Sequence, residues 1–337
     1  MPNCCAAKKA SKVTEIDFRQ LDDFVSYAQK RFELRLLAGC FDDSREDPDI
    51  PCRAVGLSLL LGEVVHIPSL LQLQEETKLP QWQRWVGYLA PISHDAFGYA
   101  SNRMDPEKLR RAGIFINRRL KRGKAFEASK IKGLLVVSLD ANEQFCSDHR
   151  CCEDCLSREV TCKDAQGQEV KKTQYYHKQV YAQLSGPQLS VILDFEPMRR
   201  GEEECAAALR LLRRLRRKYG PRFFDVVVVD SWYANGPFLK TVVDELGWPV
   251  IAVLKQERYD IYQEVMALTK GKPSQVVERG EEPNQRRVEI WDVPSLRFSD
   301  TYTDRFGWSG CGSPGRSERV KAKSGKPRPR NRPGYGS

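Results

Sequence analysis

The stretch that decides the fold is Phe223-Phe224-Asp225-Val226-Val227-Val228-Val229-Asp230, a run of valines that ends in an aspartate. An earlier stretch, Leu134-Leu135-Val136-Val137-Ser138-Leu139-Asp140, has the same form. Short apolar runs of this kind predict strands buried on both faces of an α/β sheet. Each aspartate follows its run directly, so we expect it to project from the carboxyl edge of the sheet, where such sheets bind ligands. Two acidic residues at such edges predict a shared metal site.

The residues around these two runs predict an ordered series of further elements. They are strands over 172–184 and 188–195, a helix over 201–219, a helix over 238–246 and a strand over 249–254. Three strands, a helix, a strand, a helix and a strand predict an RNase H-like mixed α/β sheet flanked by helices. In that order the first and fourth strands are neighbours, so Asp140 and Asp230 are expected to meet.

Residues 1–130 predict a separate all-α domain that precedes the sheet. Apolar residues follow helical spacing from a cap at Thr14 to Phe32, and shorter apolar segments joined by brief turns come next. These shorter segments are 52–65, 69–76, 80–89 and 93–102. Short helices with brief turns favour a helix-turn-helix module, which would hold double-stranded DNA.

Basic side chains supply the candidate DNA contacts of this domain. Some lie on or beside the predicted short helices, and others lie in a stretch dense in Lys and Arg from Lys108 to Lys124. The candidates for contacts with phosphates or bases are Arg84, Arg103, Arg110, Arg111, Arg118, Arg119 and Lys121. A solvated helical face or a linker is the alternative interpretation of the same charges.

Cysteines form a second cluster after the first aspartate. Cys152-x-x-Cys155 has the spacing of a zinc knuckle, and the neighbouring Cys151 and His149 complete a candidate ligand set. No second pair of ligands follows at regular spacing, so reduced thiols packed under a loop are the alternative. His177, farther along the chain, is expected to be a core or supporting residue.

Six motifs occur together along this chain. They are Asp140-x-x-Glu143, Cys152-x-x-Cys155-Leu156, Gln174-Tyr175-Tyr176-His177, Leu193-Asp194-x-Glu196-Pro197, the stretch ending at Asp230, and Ala252-Val253-Leu254-Lys255. Together they resemble a bacterial or archaeal insertion-sequence transposase of the DDE type, an RNase H-like enzyme with a β-rich insertion. The resemblance implies that Asp140 and Asp230 are two of three acidic ligands to divalent ions, Mg²⁺ or Mn²⁺. It also implies phosphodiester hydrolysis and strand transfer at transposon ends.

The third acidic ligand is not evident in the sequence. The resemblance implies a glutamate on a helix with an Arg-Trp-x-x-Glu signature, and no such signature occurs in the chain. Residues 304–337 are basic and poor in apolar side chains, which predicts a disordered tail. We therefore expect a truncated or frameshifted transposase core over 131–303 that is inactive, with residues 286–303 forming at most an isolated hairpin.

Two functions from other classes remain open. Without its third acid, the protein would bind transposon ends and compete for them without cleaving. Alternatively, Glu264 or Glu196 would complete a metal-dependent nuclease. Metal-dependent cleavage by the chain alone separates these alternatives.

Composition agrees with a nucleic-acid partner but is weak evidence for one. The net charge is +10, and the residues from Arg305 onward contain nine Lys or Arg and one Glu, so the tail supplies +8 and the first 304 residues +2. The apolar segments are too short to span a bilayer and no signal peptide is evident. We therefore expect a cytoplasmic protein with DNA as its partner, a homodimer at the transposon ends, and no membrane association.

Overall fold

The structure, a computed structural model, describes residues 18–163, 167–253, 267, 273–279, 286–296 and 306–312. These residues have a mixed α/β fold, and the chain divides into two compact units. The first unit consists of Met1–Tyr233 and Thr241–Ala252, and the second of Ala234–Lys240 and Val253–Ser337. The boundary predicted near residue 130 therefore lies inside the first unit.

The amino-terminal part of the first unit is helical and has its own apolar core. Its helices are α1 (Phe18–Phe32), α2 (Leu34–Ala38), α3 (Cys52–Val64), α4 (Leu70–Glu76), α5 (Pro80–Val86), α6 (His94–Ser101) and α7 (Pro106–Arg122). Val55, Trp82 and Phe97 are completely or almost completely buried in this core. Two helix starts follow from capping chemistry, because the Ser69 and Ser93 hydroxyls accept backbone N–H bonds of the first turns of α4 and α6.

The remainder of the first unit is built around a six-stranded sheet. Its elements are β1 (Val136–Ser147), β2 (Leu156–Lys163), β3 (Glu169–Ser185), β4 (Val191–Pro197), α8 (Glu204–Tyr219), β5 (Val226–Val229) and β6 (Val250–Ala252). The strands lie in the order β2-β3-β1-β5-β6, with β4 paired to β3. β1 is antiparallel to β3 and parallel to β5, and β5 is parallel to β6. The predicted first and fourth strands, β1 and β5, are therefore neighbours.

β1 is much longer than its apolar run predicts. It continues seven residues beyond Asp140 to Ser147, because the long strand β3 pairs with it along this whole extension. The prediction that Asp140 ends its strand is therefore wrong. The side chains of β1 nevertheless become exposed from Asp140 onward, after the buried Val137 and Leu139. The sequence pattern located the point where β1 leaves the core. Strand β2, which pairs with β3 on the side away from β1, was not predicted.

Helix α8 covers the sheet against β3 and β4. Its apolar side, which includes Leu211 and Leu212, is fully buried, and its acidic first turn and basic last turn complement the helix dipole. Gly220 ends the helix with φ 85°, a conformation that favours glycine. Helix α7 packs against both β4 and α8, so this face of the sheet has two helical neighbours.

The predicted helix over 238–246 is divided differently in the structure. An α-helix, α9, spans Gly236–Lys240, and a π-helical turn spans Thr241–Glu245. The second unit also contains a three-stranded antiparallel sheet of β7 (Gln275–Arg279), β8 (Arg286–Leu296) and β9 (Phe306–Gly312). The prediction of at most an isolated hairpin over 286–303 is therefore wrong, because β8 pairs with strands on both sides.

The predicted tail over 304–337 is also corrected by this sheet. Residues 306–312 form the edge strand β9, whose backbone pairs with β8 although the segment is rich in glycine. Backbone hydrogen bonds do not require apolar side chains, and composition therefore misjudged this segment. Residues 313–337 lie outside the described residues. Within the described part of the chain, no helix has the length and apolarity needed to cross a membrane.

Candidate functional site

Asp140 and Asp230 lie at one edge of the parallel part of the sheet. The register of β1 and β5 pairs Val136 with Val226 and Ser138 with Val228. Continued by two residues along both chains, the same register brings Asp140 level with Asp230. Both side chains are exposed, and both line one cavity of about 500 Å³. The two aspartates that the sequence singled out are thus brought together.

Each of the two carboxylates is oriented by the backbone beside it. Oδ1 of Asp140 accepts the amide N–H of Ala141 at 2.9 Å, and Oδ1 of Asp230 accepts that of Trp232 at 2.8 Å. These hydrogen bonds use one oxygen of each carboxylate and restrict its rotation. Trp232 also lines the cavity and is 61% exposed, which makes its indole a flat apolar surface next to Asp230.

The cavity is strongly acidic. Its lining contains the two aspartates and three consecutive glutamates at the start of α8, against one lysine. The lining residues are Asp140, Ala141, Lys178, Met198, Glu202, Glu203, Glu204, Asp230 and Trp232. Carboxylates gathered at this density repel one another unless cations neutralise them.

The three glutamates differ in their partners. Glu204 contacts Lys178, with 2.6 Å between Nζ and Oε2, and it accepts a hydrogen bond from the Tyr233 hydroxyl. Burial and this bond to Glu204 raise the pKa of Tyr233. Burial opposes ionisation of Glu202, but hydrogen bonds from Arg210 and from the Arg199 amide lower its pKa below the ordinary value. Glu203 is exposed and makes no capping hydrogen bond as the N-cap of α8.

A second acidic group lies on β4 and is neutralised by arginines. Asp194 is bound by Arg110 of α7 and Arg214 of α8, with Nε to oxygen distances of 2.8 and 2.7 Å. Glu196 is bound by Arg210, at 2.8 Å, and by Arg214. The side chains of these two acids, 3% and 11% exposed, form salt bridges between the sheet and two helices. Glu196 is therefore also unsuited as a third metal ligand.

Glu143, the second acid of the Asp140-x-x-Glu143 motif, is likewise paired. Arg158 on β2 donates to both of its carboxylate oxygens, at 2.6 and 3.1 Å, and lies over the Tyr176 ring. A bidentate arginine occupies both oxygens of a carboxylate. Glu143 therefore joins β1 to β2. Glu264, the other candidate for a third ligand, lies outside the described residues.

Most of the candidate DNA-contacting residues on α7 make their contacts within the protein. Arg110 is 11% exposed and is held by Asp194 and Glu107. Arg118 donates to the Lys218 carbonyl, and Arg119 pairs with Glu33. These contacts join α7 to the rest of the first unit. The structure therefore favours a structural role for much of the basic stretch.

Lys121 and three exposed arginines complete the predicted DNA-binding set. Lys121 donates to the carbonyls of Arg222 and Phe223, and burial lowers its pKa. Arg84 lies 3.6 Å from Asp22 and its side chain is 66% exposed. Arg103 lies over the Tyr99 ring, and Arg111 is exposed on α7. Arg84, Arg103 and Arg111 are the members of the set best placed to contact an external phosphate.

The cysteine cluster contains a compact group of three potential metal ligands. The Sγ atoms of Cys152 and Cys155 are 3.5 Å apart, and they lie 3.3 and 3.4 Å from Nε2 of His177. Within the described part of the chain, these three residues are the one group of three or more His, Cys, Asp or Glu side chains whose ligand atoms all lie within 4.8 Å of one another. His149, with 87% of its side chain exposed, contacts Asp148 instead, and Cys151 is exposed. The predicted zinc set therefore keeps Cys152 and Cys155, and His177 takes the place of His149.

Sequence reasoning missed two residues of these sites. Glu203 was not among the predicted site residues, and its place in the cavity lining is visible only in the structure. His177 was predicted to be a core or supporting residue because it follows two tyrosines on a predicted strand. Pairing of Leu156 with Tyr176 between β2 and β3 brings it beside the cysteines, and only that register reveals it.

Comparison with known proteins gives little guidance. No family model matches the chain, and no curated protein matches it at a significant level. One solved structure with partial similarity is the cryo-EM structure of a piggyBac transposase synaptic complex with hairpin DNA. The two proteins are 12% identical with a TM-score of 0.32, over 80% of this chain and 56% of the other. This chain thus spans just over half the length of that protein, and a TM-score of this size does not establish a shared fold.

Proposed function

We propose that this chain is the core of a DDE-type DNA transposase in which Asp140 and Asp230 hold the catalytic divalent metal. The observation that carries the proposal is that Asp140 on β1 and Asp230 directly after the neighbouring parallel strand β5 line one cavity. The strand order supports an RNase H-like core, because β1 has the antiparallel strand β3 on one side and the parallel crossover strands β5 and β6 on the other. The insertion-sequence type remains a prediction from the sequence motifs.

The donor set of the cavity fits Mg²⁺ or Mn²⁺. These ions prefer carboxylate oxygens and retain several waters, so a shallow and exposed site with few protein ligands suits them. Amide hydrogen bonds hold Oδ1 of Asp140 and Asp230, and Oδ2 of each remains for a metal. The surrounding glutamates add negative charge, which raises the local concentration of cations.

Asp140 and Asp230 would hold divalent ions, which when bound would supply Lewis-acid chemistry for activating a water or 3′-hydroxyl nucleophile and stabilising the leaving oxygen of a phosphodiester. The chain contributes position and electrostatics. Asp140 lies on β1 and Asp230 directly follows β5, so the sheet would keep their spacing constant when DNA binds. Trp232 offers an exposed ring on which a base can stack beside the site. Arg84, Arg103 and Arg111 would supply phosphate contacts that hold double-stranded DNA.

The third acid is the part of the site that limits activity. Within the described residues, Asp140 and Asp230 do not form a group with a third acid in which all ligand atoms lie within 4.8 Å. Glu203 is the exposed glutamate of the same cavity, and Glu264 is the residue suggested by chain order. We propose that the chain binds metal through the two aspartates and cleaves DNA weakly, because loss of one ligand removes charge that the transition state needs.

Metal binding by the full chain tests this proposal directly. We expect Mn²⁺ titration, followed by electron paramagnetic resonance, to detect a site whose affinity falls in both Asp140→Asn and Asp230→Asn. The loss should exceed the roughly 10–100-fold that follows removal of an outer-shell partner. Glu159→Gln, on the exposed strand β2, is the matched control and should bind as the wild type does. Unchanged Mn²⁺ binding in the two aspartate variants would refute the proposed metal site.

DNA cleavage distinguishes the enzyme from its alternatives. We expect weak Mg²⁺-dependent nicking of supercoiled DNA that disappears in each aspartate variant. Glu203→Gln and Glu264→Gln are assayed in parallel. The variant that loses the residual activity identifies the third acid. DNA binding with no cleavage by the wild type, at any concentration of Mg²⁺ or Mn²⁺, would instead favour a protein that competes for transposon ends.

A further inference from the structure

The group of Cys152, Cys155 and His177 is built from two separate parts of the chain. The two cysteines lie in a short turn before β2, closed by a backbone hydrogen bond from the Cys155 amide to the Cys152 carbonyl. His177 lies on β3, one residue beyond Tyr176, the partner of Leu156 across the two strands. The register of β2 and β3 therefore holds the imidazole against the turn, before any metal binds.

The distances within the group match those around a tetrahedral zinc ion. With Zn–S near 2.3 Å and Zn–N near 2.0 Å, tetrahedral angles place two sulfurs about 3.8 Å apart and a sulfur about 3.5 Å from a nitrogen. The observed separations are 3.5 Å between the sulfurs and 3.3 and 3.4 Å to Nε2. A disulfide would require a separation near 2.05 Å, and both cysteines are free.

We propose that Cys152, Cys155 and His177 bind one zinc ion, with water in the fourth position. Two thiolates and an imidazole form a soft donor set that selects zinc over the oxygen-loving Mg²⁺. The ion would join the turn before β2 to β3, where the strands extend beyond the core and have few buried side chains to hold them. The site shares no residue with the lining of the carboxylate cavity and has different donor atoms, so it does not depend on the proposed function.

A hydrogen-bonded connection leads from this group toward the cavity. Nε and Nη2 of Arg200 both donate to the carbonyl oxygen of Cys155, each at 3.3 Å. Arg200 belongs to the segment between β4 and α8, and its neighbours Met198, Glu202 and Glu203 line the acidic cavity. The zinc ion would fix the Cys155 carbonyl and, through Arg200, the segment that forms one wall of the cavity. We therefore assign the zinc site a positioning role.

Metal analysis of the purified full chain tests the ligand set. After expression in zinc-supplemented medium and dialysis, we expect about one zinc per chain in the wild type. Cys152→Ser, Cys155→Ser and His177→Ala should each contain at least about tenfold less zinc. Cys146→Ser and His149→Ala remove an exposed cysteine and an exposed histidine nearby, and both should keep the full zinc content. Wild-type protein without zinc, or normal zinc content in His177→Ala, would overturn the proposal.

Cobalt substitution gives a readout that does not depend on the folding of a variant. Co²⁺ added to the metal-free wild type should produce the intense visible absorption of a tetrahedral site and a charge-transfer band from thiolate. Excess Mg²⁺ should leave this spectrum unchanged. The spectrum arises from thiolate ligands, and the lining of the carboxylate cavity, where Mg²⁺ would bind, contains none. A weak octahedral spectrum would contradict the proposed donor set.

Hydrogen exchange tests the positioning role. A zinc-selective chelator in excess Mg²⁺ should raise amide exchange severalfold in Met198–Glu203 of the wild type, and leave exchange in β5 unchanged. Arg200→Ala should show the same rise while it still contains zinc, because it lacks only the connection to Cys155. Unchanged exchange in Met198–Glu203 after zinc loss would refute the positioning role.

Discussion

The two acids on β4 differ from Asp140 on β1 and Asp230 after β5 in the partners that the fold provides. Asp194 and Glu196 are almost completely buried, and three arginines from α7 and α8 bind them. Asp140 and Asp230 are exposed, and the contacts described for their carboxylates are with backbone amides. A carboxylate paired with arginine stabilises a fold, and one left open can bind a cation. The groups that contact each acid, more than its residue type, therefore distinguish structural acids from candidate metal ligands in this protein.

The arrangement on β4 follows from simple geometry. Asp194 and Glu196 are two residues apart on a strand, so both side chains project from the same face. Arg210 and Arg214 are four residues apart on α8, so they also share one face. When the helix packs on the strand, the two pairs meet, and Arg110 of α7 closes the group from the other side. Glu202 extends this network to the cavity through Arg210.

The largest effect is expected from breaking the buried group. Asp194→Asn removes the charge that neutralises Arg110 and Arg214, so we expect a loss of about 3–5 kcal/mol in the free energy of unfolding. Urea denaturation followed by circular dichroism measures this loss. Glu159→Gln breaks the exposed pair with Lys171 and should leave the stability unchanged. Equal stability in Asp194→Asn and the wild type would mean that the pairing of the β4 acids with arginines does not stabilise the fold.

Glu202 provides a second test, through the pH dependence of stability. Its folded-state pKa is lowered below the ordinary value of 4.5, so its pairing with Arg210 stabilises the fold above that pH. This contribution is lost as the pH falls through the folded-state pKa. We expect Glu202→Gln to be less stable than the wild type at pH 6 and the difference to shrink at pH values below about 4.5. A difference that stays constant from pH 6 to pH 3.5 would contradict the pairing.

The smallest effect is expected at Lys178, the lysine of the acidic cavity. Removing its charge in Lys178→Met takes one repulsive cation away from the bound metal, so Mn²⁺ should bind about threefold more tightly. Lys172→Met, which removes an exposed lysine of the same strand, is the matched control and should have no effect. Unchanged Mn²⁺ affinity in Lys178→Met would place the ion away from this side of the cavity.

Local sequence pattern was sufficient for much of the fold and for the two aspartates. The valine run of β5 and the apolar run of β1 identify strands because burial on both faces requires continuous apolar residues. The sequence indicates helix α8 by acidic residues at its start, basic residues at its end and the glycine that follows it. Since parallel neighbours share their carboxyl edge, the order of elements was enough to predict that Asp140 and Asp230 meet.

Contacts between distant residues required the tertiary structure. Nothing local indicates that β1 continues to Ser147, because its extension is held by β3 and not by burial of its own side chains. The arginine partners of Asp194 and Glu196 depend on how α7 and α8 pack on β4. His177 became a candidate metal ligand only through the register of β2 and β3, since a shift of one residue would turn its imidazole to the opposite face of the sheet, away from Cys152 and Cys155.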